Sequence, residues 1–144
     1  SKLENILESL STLSRVILPI HHSLKNKLIE ISLYERIPKN IELIEPLIYS
    51  EMLFLIKHSS GVITDSGGLQ KDSFWLKKPT LTIRKNTEWK ETLDYGQNIL
   101  VNEFPVNLID KFNLINITDI NRQELFGNGN AVSNIMSKVK EIFR

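Results

Sequence analysis

Thr64-Asp65-Ser66-Gly67-Gly68-Leu69-Gln70 is the stretch from which the rest of this chain is read. An apolar run, Gly61-Val62-Ile63, leads into it, and a helix-like segment, Leu69 to Leu76, leads out. Paired glycines carry no Cβ, so the backbone turns sharply there and can come close to a ligand. At a helix start the first amides have no intrahelical acceptor, and the positive end of the helix dipole favours an anion. A strand, a Ser-Gly-Gly turn and a helix together predict a seat for a phosphate. The competing reading is a plain helix start, in which Asp65 or Ser66 caps the helix and the glycines only make the bend.

The pattern on either side decides which kind of domain holds this turn. Upstream, Leu3, Ile6, Leu7, Leu10 and Leu13 recur at helical spacing, followed by a short apolar strand, Val16 to Ile20, with proline near its end. A second amphipathic helix is predicted over residues 23–33, a strand over Ile41 to Ile44, and a helix over Tyr49 to His58 with Met52, Leu53, Leu55 and Ile56 inward. The third strand is Gly61 to Thr64 and the next helix Leu69 to Leu76, ended by Pro79. Downstream, Thr80 to Ile83 and Asn98 to Val101 read as strands, separated by a short helix over 88–95 that stops at Gly96. Helices about 105–113 and from Ala131 onward, with a weaker turn around 119–125, complete the chain. In the last helix Val132, Ile135, Val139, Ile142 and Phe143 make one apolar face.

Strands of about four residues alternating with helices of about ten imply βαβ units and a parallel sheet. Short apolar strands suit a sheet covered on both faces. In such sheets ligands bind beyond the carboxyl ends of the strands, and the Ser-Gly-Gly turn lies at that edge. The expected fold class is α/β, a Rossmann-like three-layer domain with a parallel sheet.

Composition sets the outer bounds. The 144 residues are one domain's worth, enough to bury roughly 70% of the unfolded surface. With 41% hydrophobic and 24% charged residues the chain reads as an ordinary globular protein. A net charge of +1 gives no bulk basic field for nucleic acid or anionic membrane, and the Lys77-Lys78 pair is expected to be a solvated helix end. Zero cysteines exclude disulfides, thiolate chemistry and Cys-type zinc sites. No apolar run approaches the roughly 20 residues of a membrane span, and the opening residues do not resemble a signal peptide. The expected partners include no nucleic acid and no membrane, and cytoplasm is the default location.

Three further segments make the set recognisable. Lys78-Pro79-Thr80-Leu81-Thr82-Ile83-Arg84 runs into Asn86-Thr87-Glu88-Trp89-Lys90-Glu91-Thr92 and then Gly96-Gln97-Asn98-Ile99-Leu100-Val101. Phe126-Gly127-Asn128-Gly129-Asn130-Ala131 precedes the last helix, and Leu18-Pro19-Ile20-His21 stands near the start. In this order and spacing the chain resembles the non-hydrolysing UDP-N-acetylglucosamine 2-epimerase family over about residues 13 to 143. The Thr-Glu-Trp variant also looks like relatives acting on UDP-2,3-diacetamido uronic acids.

The resemblance implies the second of two Rossmann-like domains in a GT-B arrangement, with the active site in the cleft between them. It implies interconversion of UDP-N-acetylglucosamine and UDP-N-acetylmannosamine, by elimination of UDP to a glucal intermediate and re-addition with inversion at C2. The family's catalytic histidine motif and the acidic residues of its first domain have no counterpart here. The expectation is therefore a single UDP-binding domain over 1-144 that holds a UDP-sugar, carries no catalytic residue and needs no cofactor or metal. Its natural partner would be the missing N-terminal domain. The oligomeric state stays open, a homodimer of the full-length protein among the options.

Site residues follow from the same resemblance. Ser66, Gly67 and Gly68 match the diphosphate-binding turn. Asp72 stands where the family usually carries a glutamate on the ribose hydroxyls; a carboxylate can accept from both, and otherwise it only complements the helix dipole. Met52 falls where a phenylalanine backbone meets the uracil, a role compatible with ordinary core filling. Leu47 replaces a glutamine near the same base pocket. His21 matches a Pro-x-His element of the cleft or of a regulatory site, although a structural or exposed role competes. Trp89 replaces an arginine of some members; Arg84 could substitute in part, with a surface salt bridge as the alternative. Glu88 and Glu91 suit a helix start and could line the sugar side.

Other chemistries lack their patterns. There is no Gly-x-x-x-x-Gly-Lys-Ser/Thr or Gly-x-Gly-x-x-Gly, three histidines form no zinc motif, and Ser66 has no nucleophile elbow. The donor domain of a GT-B glycosyltransferase and a non-catalytic nucleotide-sugar-binding module remain as alternatives, because fold alone does not settle chemistry.

Overall fold

The computed structural model describes residues 1–117 and 125–143, so the turn expected around 119–125 lies almost wholly outside the described residues. The elements follow in the order α1 (Lys2–Ser11), β1 (Val16–Pro19), α2 (His22–Glu30), a 3-10 turn (Tyr34–Arg36), β2 (Ile41–Ile44), α3 (Tyr49–His58), β3 (Val62–Thr64), α4 (Gly67–Trp75), β4 (Thr80–Thr82), α5 (Lys90–Asp94), β5 (Asn98–Leu100), α6 (Leu108–Asn113) and α7 (Ala131–Ile142). This is the alternating α/β order expected of βαβ units.

All described strand pairs are parallel, but the pairing falls into two ladders, β1-β2 and β3-β4-β5, where the sequence suggested one sheet. Val16 faces Ile41 in the first; Val62 faces Thr80, and Thr80 faces Asn98, in the second. One core spans both ladders: Leu81 at the centre of β4 clusters with Ile20 and Ile41 beyond and within the first ladder, with Leu7 and Leu10 of α1, and with Leu108 of α6. Parallel strands all deliver their carboxyl ends to the same edge of their ladder, which sets the loops after β3 and β4 side by side.

The helix that follows β3 is fixed at both ends. At its start the Ser66 hydroxyl accepts from the Leu69 amide at 3.5 Å, and Gln70 N–H donates to the Ser66 carbonyl at 3.2 Å. Gly67 and Gly68 therefore form the first turn of α4 instead of a separate bend ahead of Leu69. At the far end Gln97 Nε2 donates to the carbonyls of Ser73, Phe74 and Lys78 at 3.0, 3.3 and 3.0 Å, satisfying acceptors that a helix end leaves open. Lys77 takes a left-handed conformation, φ 55°, to leave the helix before Pro79. Lys78 is not the solvated helix end expected of it: it is half-buried, and its ammonium donates to the Ser59 carbonyl at 2.8 Å, tying the exit of α4 to the exit of α3.

Other expected boundaries shift for local reasons. α5 begins at Lys90, because Thr87 and the Trp89 N–H are engaged in hydrogen bonds outside the helix. α6 begins at Leu108, where Asn107 Oδ1 accepts from the amides of Ile109 and Asp110 at 3.0 and 3.3 Å. α2 ends at Glu30, and Ser32 turns the chain at φ 55°. In α3 only Ile56 is fully buried; Met52, Leu53 and Leu55 are half-buried. The apolar face expected on α7 exists as a periodicity but faces solvent, with Val132 and Ile142 more than 70% exposed.

Candidate functional site

The turn after β3 is built from the strand outward. Thr64, the last residue of β3, is buried, and its hydroxyl accepts from the Ser66 amide at 3.0 Å, which pulls the chain tight as it leaves the strand. Ser66 is extended at φ −82°, ψ 126° and caps α4. Asp65, Ser66 and Gly68 are exposed and Gly67 is half-buried. A Cβ on Gly68 would have only the Ser66 hydroxyl near it, at 3.8 Å, so the space over the second helical residue is open. Gly67 is the opposite case, with the Glu88 carboxylate and the Trp89 indole nitrogen packed where its Cβ would be. The two glycines thus serve different ends: Gly67 admits the Thr87–Trp89 segment, and Gly68 leaves room above the helix.

That segment is held by a buried polar network. Thr87 Oγ1 donates to Gln70 Oε1 at 2.6 Å, Asn98 Nδ2 donates to Thr92 Oγ1 at 3.0 Å and reaches Gln70 Oε1 at 3.4 Å, and Thr82 Oγ1 donates to Asn98 Oδ1 at 2.8 Å. Gln70, Thr82, Thr87, Thr92 and Asn98 are all at most 9% exposed. Since buried polar groups cost free energy unless bonded, a network in which each member has a partner fixes one arrangement of β4, β5 and α4. Arg84, just past β4, donates to Glu88 Oε2 at 3.0 Å. Lys71 sits 4.6 Å above the Trp89 ring and 5.3 Å above that of Phe126, and Phe126 also packs edge-on against Phe74. The Phe126 segment is thereby brought to the α4–Trp89 side, the two quoted motifs meeting in space.

One turn into α4, Asp72 Oδ1 accepts from the Tyr49 hydroxyl at 3.0 Å. This bond holds the Tyr49 phenol above its ordinary pKa, first through the hydrogen bond lost on ionisation and then through the nearby carboxylate charge. Asp72 keeps its second oxygen for another donor. Met52 lies half-buried on α3, and its N–H donates to the Ile48 carbonyl at 3.0 Å, so a base meeting this backbone would share that N–H with the helix. Leu47 lines an open groove of about 500 Å³ with Ile17, Ile44, Ser50, Phe54 and Leu55. His21 stands apart from these contacts: exposed, it caps α2 by accepting from the Ser23 amide at 3.3 Å and pairs with the Ser23 hydroxyl at 3.0 Å. His58 bonds to the Phe54 carbonyl within α3.

The structure therefore joins Ser66, Gly67, Gly68 and Asp72 on one helix start and links them to α3 through Tyr49. Sequence reading missed Tyr49, Gln70 and Asn98. Gln70 and Asn98, polar residues at buried helix and strand positions, become readable only once their partners are known, and Tyr49, exposed at the start of α3, carries no such signal.

A parallel α/β domain with a capped, glycine-opened helix directly after β3 has the architecture in which ligands bind beyond strand carboxyl ends. A profile of the UDP-N-acetylglucosamine 2-epimerase family matches residues 1–140, and this chain belongs to that family. A UDP-N-acetylglucosamine 2-epimerase homolog of Methanococcus maripaludis is 34% identical over 143 residues, 97% of this chain and 40% of the relative. A UDP-2,3-diacetamido-2,3-dideoxy-D-glucuronate 2-epimerase of Pseudomonas aeruginosa is 32% identical over 139 residues, 93% of this chain and 38% of that protein. The crystal structure of Methanocaldococcus jannaschii UDP-GlcNAc 2-epimerase in complex with UDP-GlcNAc and UDP superposes with a TM-score of 0.83 at 34% identity, covering 97% of this chain and 41% of that one. The chain thus spans about 40% of the length of the relatives it matches.

Proposed function

We propose that this chain is the UDP-holding domain of a UDP-N-acetylglucosamine 2-epimerase, with the diphosphate on the Ser66–Gly68 turn. The observation that carries the reading is the first turn of α4, capped by Ser66, closed over Gly67 by Glu88 and open at Gly68. Its free amides and helix dipole suit a phosphate, and the Ser66 hydroxyl adds a donor. Asp72, with one oxygen engaged by Tyr49, offers the other to a ribose hydroxyl. Met52 and Leu47 stand on the uracil side, and His21 on the cleft side.

In the whole enzyme, UDP is eliminated from the sugar and re-added with C2 inverted, turning UDP-N-acetylglucosamine into UDP-N-acetylmannosamine. On this reading the groups that move protons belong to the enzyme's other domain. The present domain binds, orients and stabilises the departing diphosphate, and by itself it does not turn over. A second substrate reading, a UDP-diacetamido uronic acid, is favoured by Thr87-Glu88-Trp89 together with the similarity to the Pseudomonas aeruginosa enzyme. The glycosyltransferase and non-catalytic readings have no comparable support.

Isothermal titration of the 144-residue chain with UDP tests the reading. Binding is expected for the unsubstituted chain and none for Gly68→Asp. The substitution puts a carboxylate in the open space over the helix start, where it suits the dipole and leaves α4 intact by circular dichroism. No UDP binding by the folded, unsubstituted chain would overturn the assignment.

A further inference from the structure

The start of α4 already carries a carboxylate, and this inference rests on the reading that the same start holds a diphosphate. Glu88 and Trp89 close over Gly67: a Cβ there would collide with Glu88 Oε1 and stand 3.2 Å from Trp89 Nε1. The position of Glu88 is set by its neighbours. Thr87 is pinned to Gln70 at 2.6 Å, and the Trp89 amide donates to Thr87 Oγ1 at 3.1 Å. On the outer side Arg84 Nη1 grips both carboxylate oxygens, at 3.0 and 3.4 Å. Both side chains still reach solvent, 34% exposed for Arg84 and 51% for Glu88, so either can swing.

A carboxylate against a helix N-terminus is favourably placed, for the reason that a phosphate is. Two anions in contact disfavour each other, so the seat serves one at a time. The Trp89 indole N–H is a second sign of a seat built for an acceptor: it is cut off from solvent and has no hydrogen-bond partner among the described residues. We propose that Glu88 and Arg84 form an anion-exchange latch, in which the Glu88 carboxylate covers the Gly67 side of the phosphate's seat in the free chain and the entering diphosphate displaces it and takes over Arg84. The exchange trades one charge-assisted pair for another, and guanidinium suits a phosphate's paired oxygens as well as a carboxylate's. Glu88 therefore competes with the ligand and lowers its affinity, and Arg84 serves both states.

UDP titrations of the 144-residue chain, Glu88→Gln, Arg84→Met and the double variant decide the matter, with circular dichroism confirming the fold of each. Glu88→Gln keeps the shape and removes the charge, and it should tighten UDP binding about three- to fivefold, the scale of one partly exposed charge contact. Arg84→Met should weaken binding about tenfold, the scale of a charge-assisted bond. The Arg84→Met loss should be larger in the Glu88→Gln background, where Arg84 has no competing partner. If the unsubstituted chain binds UDP but Glu88→Gln binds it equally or more weakly, the latch falls and the site reading stands. If the unsubstituted chain binds no UDP, both fall together.

Discussion

Tyr49 and Asp72 show how one hydrogen bond couples two helices at the edge of the site. The phenol donates to Asp72 Oδ1 at 3.0 Å, and the folded chain holds the Tyr49 proton more tightly than an unfolded one does. The sign follows: the contribution of this bond is fully present below the ordinary phenol pKa and is lost as pH rises through the raised folded value. Alkaline titration of phenolate absorbance should show a late-ionising component that belongs to Tyr49, one of three tyrosines. Asp72→Ala, which removes both the acceptor oxygen and the charge, should abolish that late component. Identical titration curves for both proteins would mean that the bond is absent in solution. The same substitution should weaken UDP binding under the ribose assignment, so the two measurements separate the bond to Tyr49 from the contact with the ligand.

At the scale of elements, Asn98 joins the strands to the site. It accepts from Thr82 of β4, donates to Thr92 of α5 and reaches Gln70 of α4, all inside the fold. Asn98→Leu fits an apolar side chain into β5 but strands those partners, at about 1–3 kcal/mol for each group left unpaired. We expect a net loss of about 2–3 kcal/mol, read as a lowered urea midpoint with an unchanged slope. A loss within about 0.5 kcal/mol, the range of a surface change, would show that water replaces the bonds at no cost. This network also marks the limit of what sequence conveys. β2 was legible because three of the four residues Ile41–Ile44 are apolar and Glu45-Pro46 closes the run, and α3 because Tyr49–His58 has a clear face. The Ser66–Gly68 turn was legible as a helix start beyond a strand, since glycine pairs and a capping serine act locally. The late start of α5 was not, because Thr87 and Trp89 spend their hydrogen bonds on partners 17 and 2 residues away. Nor was the Glu88–Gly67 contact, which depends on β3 and β4 lying side by side.

For the molecule as a whole, the position of α7 separates what builds this domain from what the domain presents outward. Amphipathic spacing ordinarily signals a face turned to the core, yet every residue described from Gly127 to Phe143 is exposed. The core is closed without that helix: Leu81 is 0% exposed and Leu28, Leu33, Ile41, Val101 and Leu108 at most 6%. Stability and apolar periodicity thus part company, and substitutions can read them separately. Leu81→Ala removes a side chain from the cluster that bridges both strand ladders, and should cost about 2–5 kcal/mol. Ile135→Ser alters a position that is 61% exposed, between residues of similar helix propensity, and should change stability by less than about 0.5 kcal/mol. Urea unfolding of the two variants beside the unsubstituted chain measures both. An Ile135→Ser loss comparable to that of Leu81→Ala would mean that α7 folds back onto the domain in solution and belongs to its core.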